Sequence, residues 1–392
     1  IWCGNNENDE GWHNWGWQKQ NNYTKADSTQ IWSDYKKVFH EVIPNTLDSL
    51  VSKEKNIYWS SSPSIGWGRK ESMTQGDSHY WGVWWGKEPF EIYKTKVPRF
   101  MSEYGFQGMP NIETLRKVVN ATDLNFNSNA LKNHQKHPIG NETIREYMER
   151  DFQIPEKFED YVYVSQLLQA DGMKTAMEAH RRSKPYNMGT LYWQFNDCWP
   201  VTSWSSLDYY GNWKAFHYQA KRSFENILLS VNEENESYKV YLVNDYFEKY
   251  SDKLTLELLS FDGKLLWNTS KKATVAENSS SIVFEILKAD FSNFDLNQAV
   301  LNVRFKNESS DYFFVKPKDL KLTKPEIKIK TIDELTLEIS TNVLAKNVFL
   351  TSEIEVFFED NYFDLLPNEK RMIKVSKQAG SVKVKSLFDT MK

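Results

Sequence analysis

Ile1-Trp2-Cys3-Gly4-Asn5-Asn6-Glu7-Asn8 and Arg99-Phe100-Met101-Ser102-Glu103-Tyr104-Gly105-Phe106-Gln107 are built to one pattern. Each is a short apolar run that ends on a glutamate and leads into aromatic residues. Ile1–Asn6 reads as the middle of a strand, with no initiator, signal peptide or capped start. Any targeting signal would lie upstream of this stretch, so its absence says nothing about location and the compartment stays unassigned.

Working outward, apolar runs at Ile57–Ser61, His79–Trp85 and Gly189–Phe195 join these two as candidate strands. Helical periodicity lies between them. Trp32–Leu50 reads as a helix pair broken at Pro44, because proline inside a helix removes a donor and clashes with the preceding turn. Asn111–Val119 and Asn141–Phe152 also read as helical. Glu159–Arg182 repeats Tyr161, Val164 and Leu168 on one face. Strands alternating with helices predict a parallel sheet with crossover helices. From about Phe224 the pattern becomes all-β. Leu254, Leu256 and Leu258 alternate with polar residues, and Asp262-Gly263 sits between two apolar runs as a hairpin turn. Lys316–Pro325 reads as a linker, after which Leu335, Leu337 and Ile339 alternate again. Tryptophan usage marks the same division: fourteen of the fifteen fall between Trp2 and Trp213. The expected organisation is residues 1–222 of α/β type, then two small β-sandwiches at 223–318 and 322–392.

The 392 residues suffice for several cores, and the formal net charge of −4 with mixed signs argues against a nucleic-acid footprint. No apolar stretch reaches the roughly 18 residues of a membrane span. Cys3 and Cys198 cannot form a disulfide framework and are expected as buried thiols. His134 and His137 precede a proline with no third ligand in view, so no metal is assigned. Seven Asn-x-Ser/Thr sequons occur in a chain rich in these residues and carry little weight.

Two carboxyl groups flanking one bond are what glycoside hydrolysis requires, about 5–5.5 Å apart when the second acts as nucleophile. They belong at the ends of rigid strands. Glu7 and Glu103 occupy such ends. Alone, each reads equally as a solvated loop residue. Their surroundings distinguish them, since aromatic faces stack on sugar C–H faces and supply the low-dielectric walls that raise a carboxyl pKa.

Asn6-Glu7 resembles the fourth-strand end of the large barrel glycosidase clan, where the glutamate is acid/base. Ser102-Glu103-Tyr104-Gly105 resembles the nucleophile motif at the seventh. Together with Tyr192-Trp193-Gln194-Phe195-Asn196-Asp197-Cys198-Trp199-Pro200 and Asn361-Tyr362-Phe363-Asp364-Leu365-Leu366-Pro367, these stretches resemble β-mannosidases of glycoside hydrolase family 2. The resemblance spans nearly the whole chain. It implies a partial TIM (β/α)8 barrel, strands 4–8, followed by two immunoglobulin-like β-sandwich domains.

The resemblance further implies Glu7 as acid/base, Glu103 as nucleophile, Asn6 on the sugar 2-hydroxyl and Trp193 as the pocket floor. Trp15 matches a pocket tryptophan. Either His79 or Tyr80, in Gly76-Asp77-Ser78-His79-Tyr80-Trp81, would approach the sugar or Glu103. Plain readings stand beside these: a strand-end cap for Asn6, core packing for Trp15 and Trp193. The implied activity is a retaining exo-β-mannosidase acting on manno-oligosaccharides or glycans without a cofactor. Its partner is a β-mannoside, and an upstream part of the same protein would be needed to close the barrel. Without that part, Ile1–Asn6 would form an open sheet edge. The resemblance leans toward a periplasmic, secreted or lysosomal setting. Another family 2 exo-glycosidase (exo-β-glucosaminidase, β-galactosidase or β-glucuronidase) and a non-catalytic carbohydrate-binding fragment remain as alternatives.

Overall fold

A computed structural model describes residues 1–52, 57–126 and 128–391. Residues 53–56 and 127, inside the expected α/β region, and Lys392, the end of the last expected sandwich, lie outside the described residues. The chain forms two compact units that do not follow chain order. One is Ile1–Gly105 with Pro185–Tyr192; the other is Phe106–Lys184 with Trp193–Lys392.

The first unit carries short parallel ladders. Strand β1 (Trp2–Cys3) pairs with β2 (Tyr58–Trp59), and a further parallel bridge joins Asn6 to Ser62. Strand β3 (Ser78–His79) pairs with β4 (Met101–Glu103), and Met101 also bridges in parallel to Thr190. Ladders of two or three residues are shorter than the apolar runs predicted. After His79 the chain turns at once: Trp85 N–H bonds Trp81 O at 2.8 Å and Glu88 N–H bonds Gly82 O at 3.0 Å. A Cβ on Gly86 would lie 2.6 Å from Gly82 O, so this close approach requires glycine. The Gly189–Phe195 run bonds to Met101 only through Gly189 and Leu191. The ladders form no closed barrel among the described residues.

Pro44 does not break the helix as expected. The chain runs through Lys25–Lys36 as α-helix, Lys37–Val42 as π-helix and Ile43–Leu50 as α-helix. Proline in a first turn forfeits no bond, and the wider π turn upstream accommodates the ring. Thr24 and Asp27 close the start as a capping box. No residue of these three segments is buried, and Ile31, Val38, Val42 and Leu50 are exposed. Cys3 and Cys198 are also exposed, contrary to expectation. Cys3 sits on β1, whose residues are open to solvent, and its thiol donates to Asn5 O at 3.3 Å.

In the second unit the helix Phe158–Arg182 buries Tyr161, Val164 and Leu168, the predicted face. A four-stranded sheet (Glu308–Phe313, Ala299–Phe305, Tyr250–Ser260, Leu265–Val275) faces a three-stranded one (Ile227–Glu234, Ser237–Asn244, Ser279–Leu287). Their shared core includes Leu254, Leu256 and Leu258, all fully buried. Burying each leucine stabilises by about 1.5–3 kcal/mol. The hairpin turns at Gly263, whose φ of 88° suits glycine. Two smaller three-stranded sheets enclose a second core around Leu337, Ile339, Val348 and Leu350. The Lys316–Pro325 stretch is more than a linker. Its Leu320 is buried with Phe261, Val300, Leu344 and Leu366, which joins the two sandwiches.

Candidate active site

The parallel register of β3 on β4 sets His79 opposite Glu103. Glu7 reaches the same place from the turn after β1, where its N–H bonds Ser62 O at 2.7 Å. Ligand-type atoms of Glu7, His79 and Glu103 all lie within 4.8 Å of one another. His79 Nδ1 is 2.7 Å from Glu7 Oε1 and 3.4 Å from Glu103 Oε2. The Trp81 indole N–H donates to Glu103 Oε1 at 3.1 Å.

Exposure separates the two carboxylates. The Glu7 side chain is 20% exposed and that of Glu103 10%. Burial pushes the Glu103 carboxyl up to about 7; the His79 charge opposes this, the Glu7 charge adds to it, and the Trp81 N–H lowers it. Glu7 has φ 60°, a left-handed backbone that costs a non-glycine residue on the order of 1 kcal/mol. Asn5 holds that turn: its amide donates to Ser60 O at 2.8 Å, and its oxygen accepts from Asn8 N–H at 3.1 Å and Ser61 Oγ at 2.9 Å.

Behind the trio lies a polar network that the sequence did not disclose. Asp77 Oδ2 accepts from Ser62 Oγ at 2.5 Å and Ser102 Oγ at 2.6 Å, while Oδ1 accepts from Trp59 Nε1 at 3.0 Å. Ser62 Oγ also lies 3.0 Å from His79 Nε2. The one available signal was Asp77 standing two residues before His79, just ahead of β3.

Of His79 and Tyr80, the structure brings His79 to the carboxylates. Tyr80 is buried, its hydroxyl bonded to Glu88 and its ring packed edge-on against Trp67 and Tyr93. Asn6 is exposed and bridges to Ser62 through backbone. Trp15 is 44% exposed and packs edge-on against Trp17. Trp193 belongs to the second unit and is 41% exposed. In that unit His134 Nδ1 faces Pro200 O at 2.6 Å, and Asp197 ties its loop through Gln194 and Lys136. As a cation cage the Glu7–His79–Glu103 trio fits poorly, because Nδ1 is engaged by Glu7 and an indole N–H points at Glu103. No other grouping of this kind occurs among the described residues.

Comparison with known proteins bears on what this trio belongs to. Residues 236–319 match the mannosidase Ig/CBM-like domain family, and residues 322–390 match the Ig-fold domain family of mannosidases. A β-mannosidase of Rattus norvegicus is 30% identical over 311 residues, 73% of this chain and 34% of the relative. β-Mannosidase B of Aspergillus niger is 25% identical over 90% of this chain and 45% of its own length. The crystal structure of a β-D-mannosidase from Dictyoglomus thermophilum superposes with a TM-score of 0.85 at 30% identity, covering 100% of this chain and 48% of that one. The chain belongs to the β-mannosidase family of glycoside hydrolase family 2. It spans about a third to under half of the length of the curated family members it matches. An exo-chitosanase of Amycolatopsis orientalis shares the fold alone, with a TM-score of 0.60 at 16% identity, covering 76% of this chain and 45% of that one.

Proposed function

We propose that the protein carrying this chain is a retaining exo-β-mannosidase, with Glu103 as nucleophile and Glu7 as acid/base. The carrying observation is the approach of the Glu7 and Glu103 carboxylate oxygens to within 4.8 Å. A retaining enzyme holds its carboxyl groups about 5–5.5 Å apart, whereas an inverting enzyme needs about 6.5–9.5 Å to seat a water between them. Glu103 attacks the anomeric carbon and releases the leaving oxygen, which Glu7 protonates. Glu7 then deprotonates the water that hydrolyses the glycosyl-enzyme. The fixed position of Glu103 on a strand, with an indole N–H holding one oxygen, suits a nucleophile. The greater exposure of Glu7 suits a group that meets leaving group and water in turn.

In this reading residues 1–222 supply strands 4–8 of a (β/α)8 barrel, and residues 223–318 and 322–392 are trailing sandwiches. Asn6 binds the sugar 2-hydroxyl, His79 bridges the carboxylates, and Trp15 lines the pocket. Tyr80 supports its wall from behind. The exposed Ile31, Val38, Val42 and Leu50 mark apolar surface for the remainder of the catalytic domain to cover.

The test is labelling of the full-length protein with a 2-deoxy-2-fluoro-β-mannosyl fluoride, followed by peptide mapping. A mannosyl adduct on Glu103 is expected. Turnover with inversion, or an adduct on another residue, overturns the assignment. A panel of aryl glycosides run beside it reads the sugar: preference for gluco-, galacto- or glucurono-configured substrates would refute the mannoside.

A further inference from the structure

The trio is not isolated from the polar network behind it, and the direction of each hydrogen bond can be worked out. Asp77 receives donors from Ser62, Ser102 and Trp59, at 2.5, 2.6 and 3.0 Å, and the Ser64 N–H points at it from 3.3 Å. With these groups converging on two oxygens, the carboxylate is an acceptor throughout. The Ser62 hydroxyl proton is therefore spent on Asp77. What remains on Ser62 Oγ is lone pairs, and His79 Nε2, 3.0 Å away, must be the donor. With hydrogen on Nε2, Nδ1 is either a lone pair or the second donor of an imidazolium. Glu7 Oε1 stands 2.7 Å from it. A carboxylate oxygen and a bare ring nitrogen do not approach that closely without a proton between them.

We infer that Asp77 and Ser62 are positioning residues which fix the His79 tautomer and thereby keep one proton between His79 Nδ1 and Glu7 Oε1, loading the acid/base while Glu103 stays free to ionise. This rests on the acid/base and nucleophile roles proposed above. The distances favour it over the opposite placement, since Nδ1 lies 3.4 Å from Glu103 Oε2. The charged and titratable groups around the imidazole are Glu7 from the turn after β1, Glu103 from β4, and Asp77 through Ser62. Cys3 on β1 senses the Asp77 charge but makes no bond to His79. In the opposite tautomer Nδ1–H would donate to an ionised Glu7, and the site would hold no proton for the leaving group. The relay excludes that state by leaving Nε2 no donor to accept from.

Two readouts on the full-length protein test this. The first is the imidazole 15N spectrum of histidine-labelled protein, with His79→Gln identifying the signal. Expected is a protonated Nε2 at neutral pH, and in Ser62→Ala a population carrying hydrogen on Nδ1 with a bare Nε2. A bare Nε2 in the unsubstituted protein overturns the proposal. The second is the pH dependence of kcat/KM on an aryl β-mannoside with a poor leaving group, which needs the proton. Ser62→Ala is expected to move the basic limb down by about one pH unit, roughly a tenfold loss on its alkaline side, the scale of one charge-assisted hydrogen bond. Ser62→Thr, which keeps the hydroxyl, should restore the limb, and Asp77→Asn should move it as Ser62→Ala does. A lowered rate with an unmoved limb in both Ser62→Ala and Asp77→Asn would show mere packing and overturn the relay. If the unsubstituted protein hydrolysed no β-mannoside, the functional reading would fall, while the 15N result would still decide the tautomer.

Discussion

Replacing Trp81 by phenylalanine isolates one term in the chemistry of Glu103. The indole N–H donates to Glu103 Oε1 at 3.1 Å, in a site where Glu103 is 8% exposed. Phenylalanine keeps most of the aromatic bulk and removes only the donor. A hydrogen bond to an ionised group contributes about 1.5–3 kcal/mol, and 1.36 kcal/mol corresponds to one pKa unit. Losing it should raise the Glu103 pKa by at least about one unit, on top of the burial that already pushes it up to about 7. A nucleophile works as the carboxylate, so activity is lost on the acid side. The acidic limb of kcat/KM should move up by about one pH unit. Below that limb the variant should retain about a tenth of the wild-type fraction of its own plateau. The assay is kcat/KM against pH on an aryl β-mannoside with a good leaving group, which does not depend on protonation by Glu7. A limb that stays in place, or moves to lower pH, refutes the reasoning. A reduced plateau with an unmoved limb would assign Trp81 to packing alone.

Glu7→Ala should leave most of the glycosylation rate on activated aryl mannosides and lose on the order of 100-fold or more on poor leaving groups, the usual contribution of general acid catalysis; equal losses on both would remove Glu7 from that role. Glu103→Gln should stabilise the fold at alkaline pH. The folded carboxyl, raised from 4.5 to about 7, holds its proton more tightly than the unfolded one, so wild-type stability is fullest below 4.5 and falls as pH rises through 7. The variant's advantage in urea unfolding, followed by tryptophan fluorescence, should therefore grow by about 2–3 kcal/mol from pH 5 to pH 8; a difference independent of pH would contradict the burial. Leu256→Ala, at a fully buried position of the larger sandwich, should cost about 2–5 kcal/mol and lower the urea midpoint of that domain while the pH profile of folded enzyme is unchanged.

That Glu7 and Glu103 would meet was legible because the proposed chemistry imposes a pattern on the sequence: a strand end, a glutamate and aromatic walls. Choosing between His79 and Tyr80 was not possible on that basis. Adjacent strand residues point to opposite faces, so the choice depends on register, and register is a property of the pairing partner. In the structure His79 pairs with Glu103, and Tyr80 is turned away to Glu88. The Asp77–Ser62 relay was hidden for a related reason. It joins a loop after one strand to residues before another, with no spacing rule to reveal it. The sandwiches were easier to read, since Leu254, Leu256 and Leu258 show a period of two that only a one-sided strand requires. Pro44 misled because breaking is only one response of a helix to proline; a π turn ending at the proline's own first turn is another. Cys3 departs from expectation because an apolar run suggests a buried strand, whereas β1 lies open.

The cost of the site and its function have the same origin. Glu7 sits in a left-handed backbone conformation, and Glu103 is pressed into surroundings that disfavour its charge. Neither arrangement stabilises the fold by itself. Each is held by neighbours that do no chemistry: Asn5 clamps the turn that carries Glu7, and Asp77 ties together Trp59, Ser62 and Ser102 around the strands that carry His79 and Glu103. A retaining hydrolase needs two carboxyl groups closer together than their charges favour, with one proton between them and a definite owner for it. Burial alone would place that proton on Glu103, the more buried of the pair, and silence the nucleophile. In the proposed reading, a histidine fixed from behind, closer to Glu7 than to Glu103, reverses that assignment. On the proposed roles, the polar scaffold behind the trio is what decides which of two similar carboxylates becomes the acid.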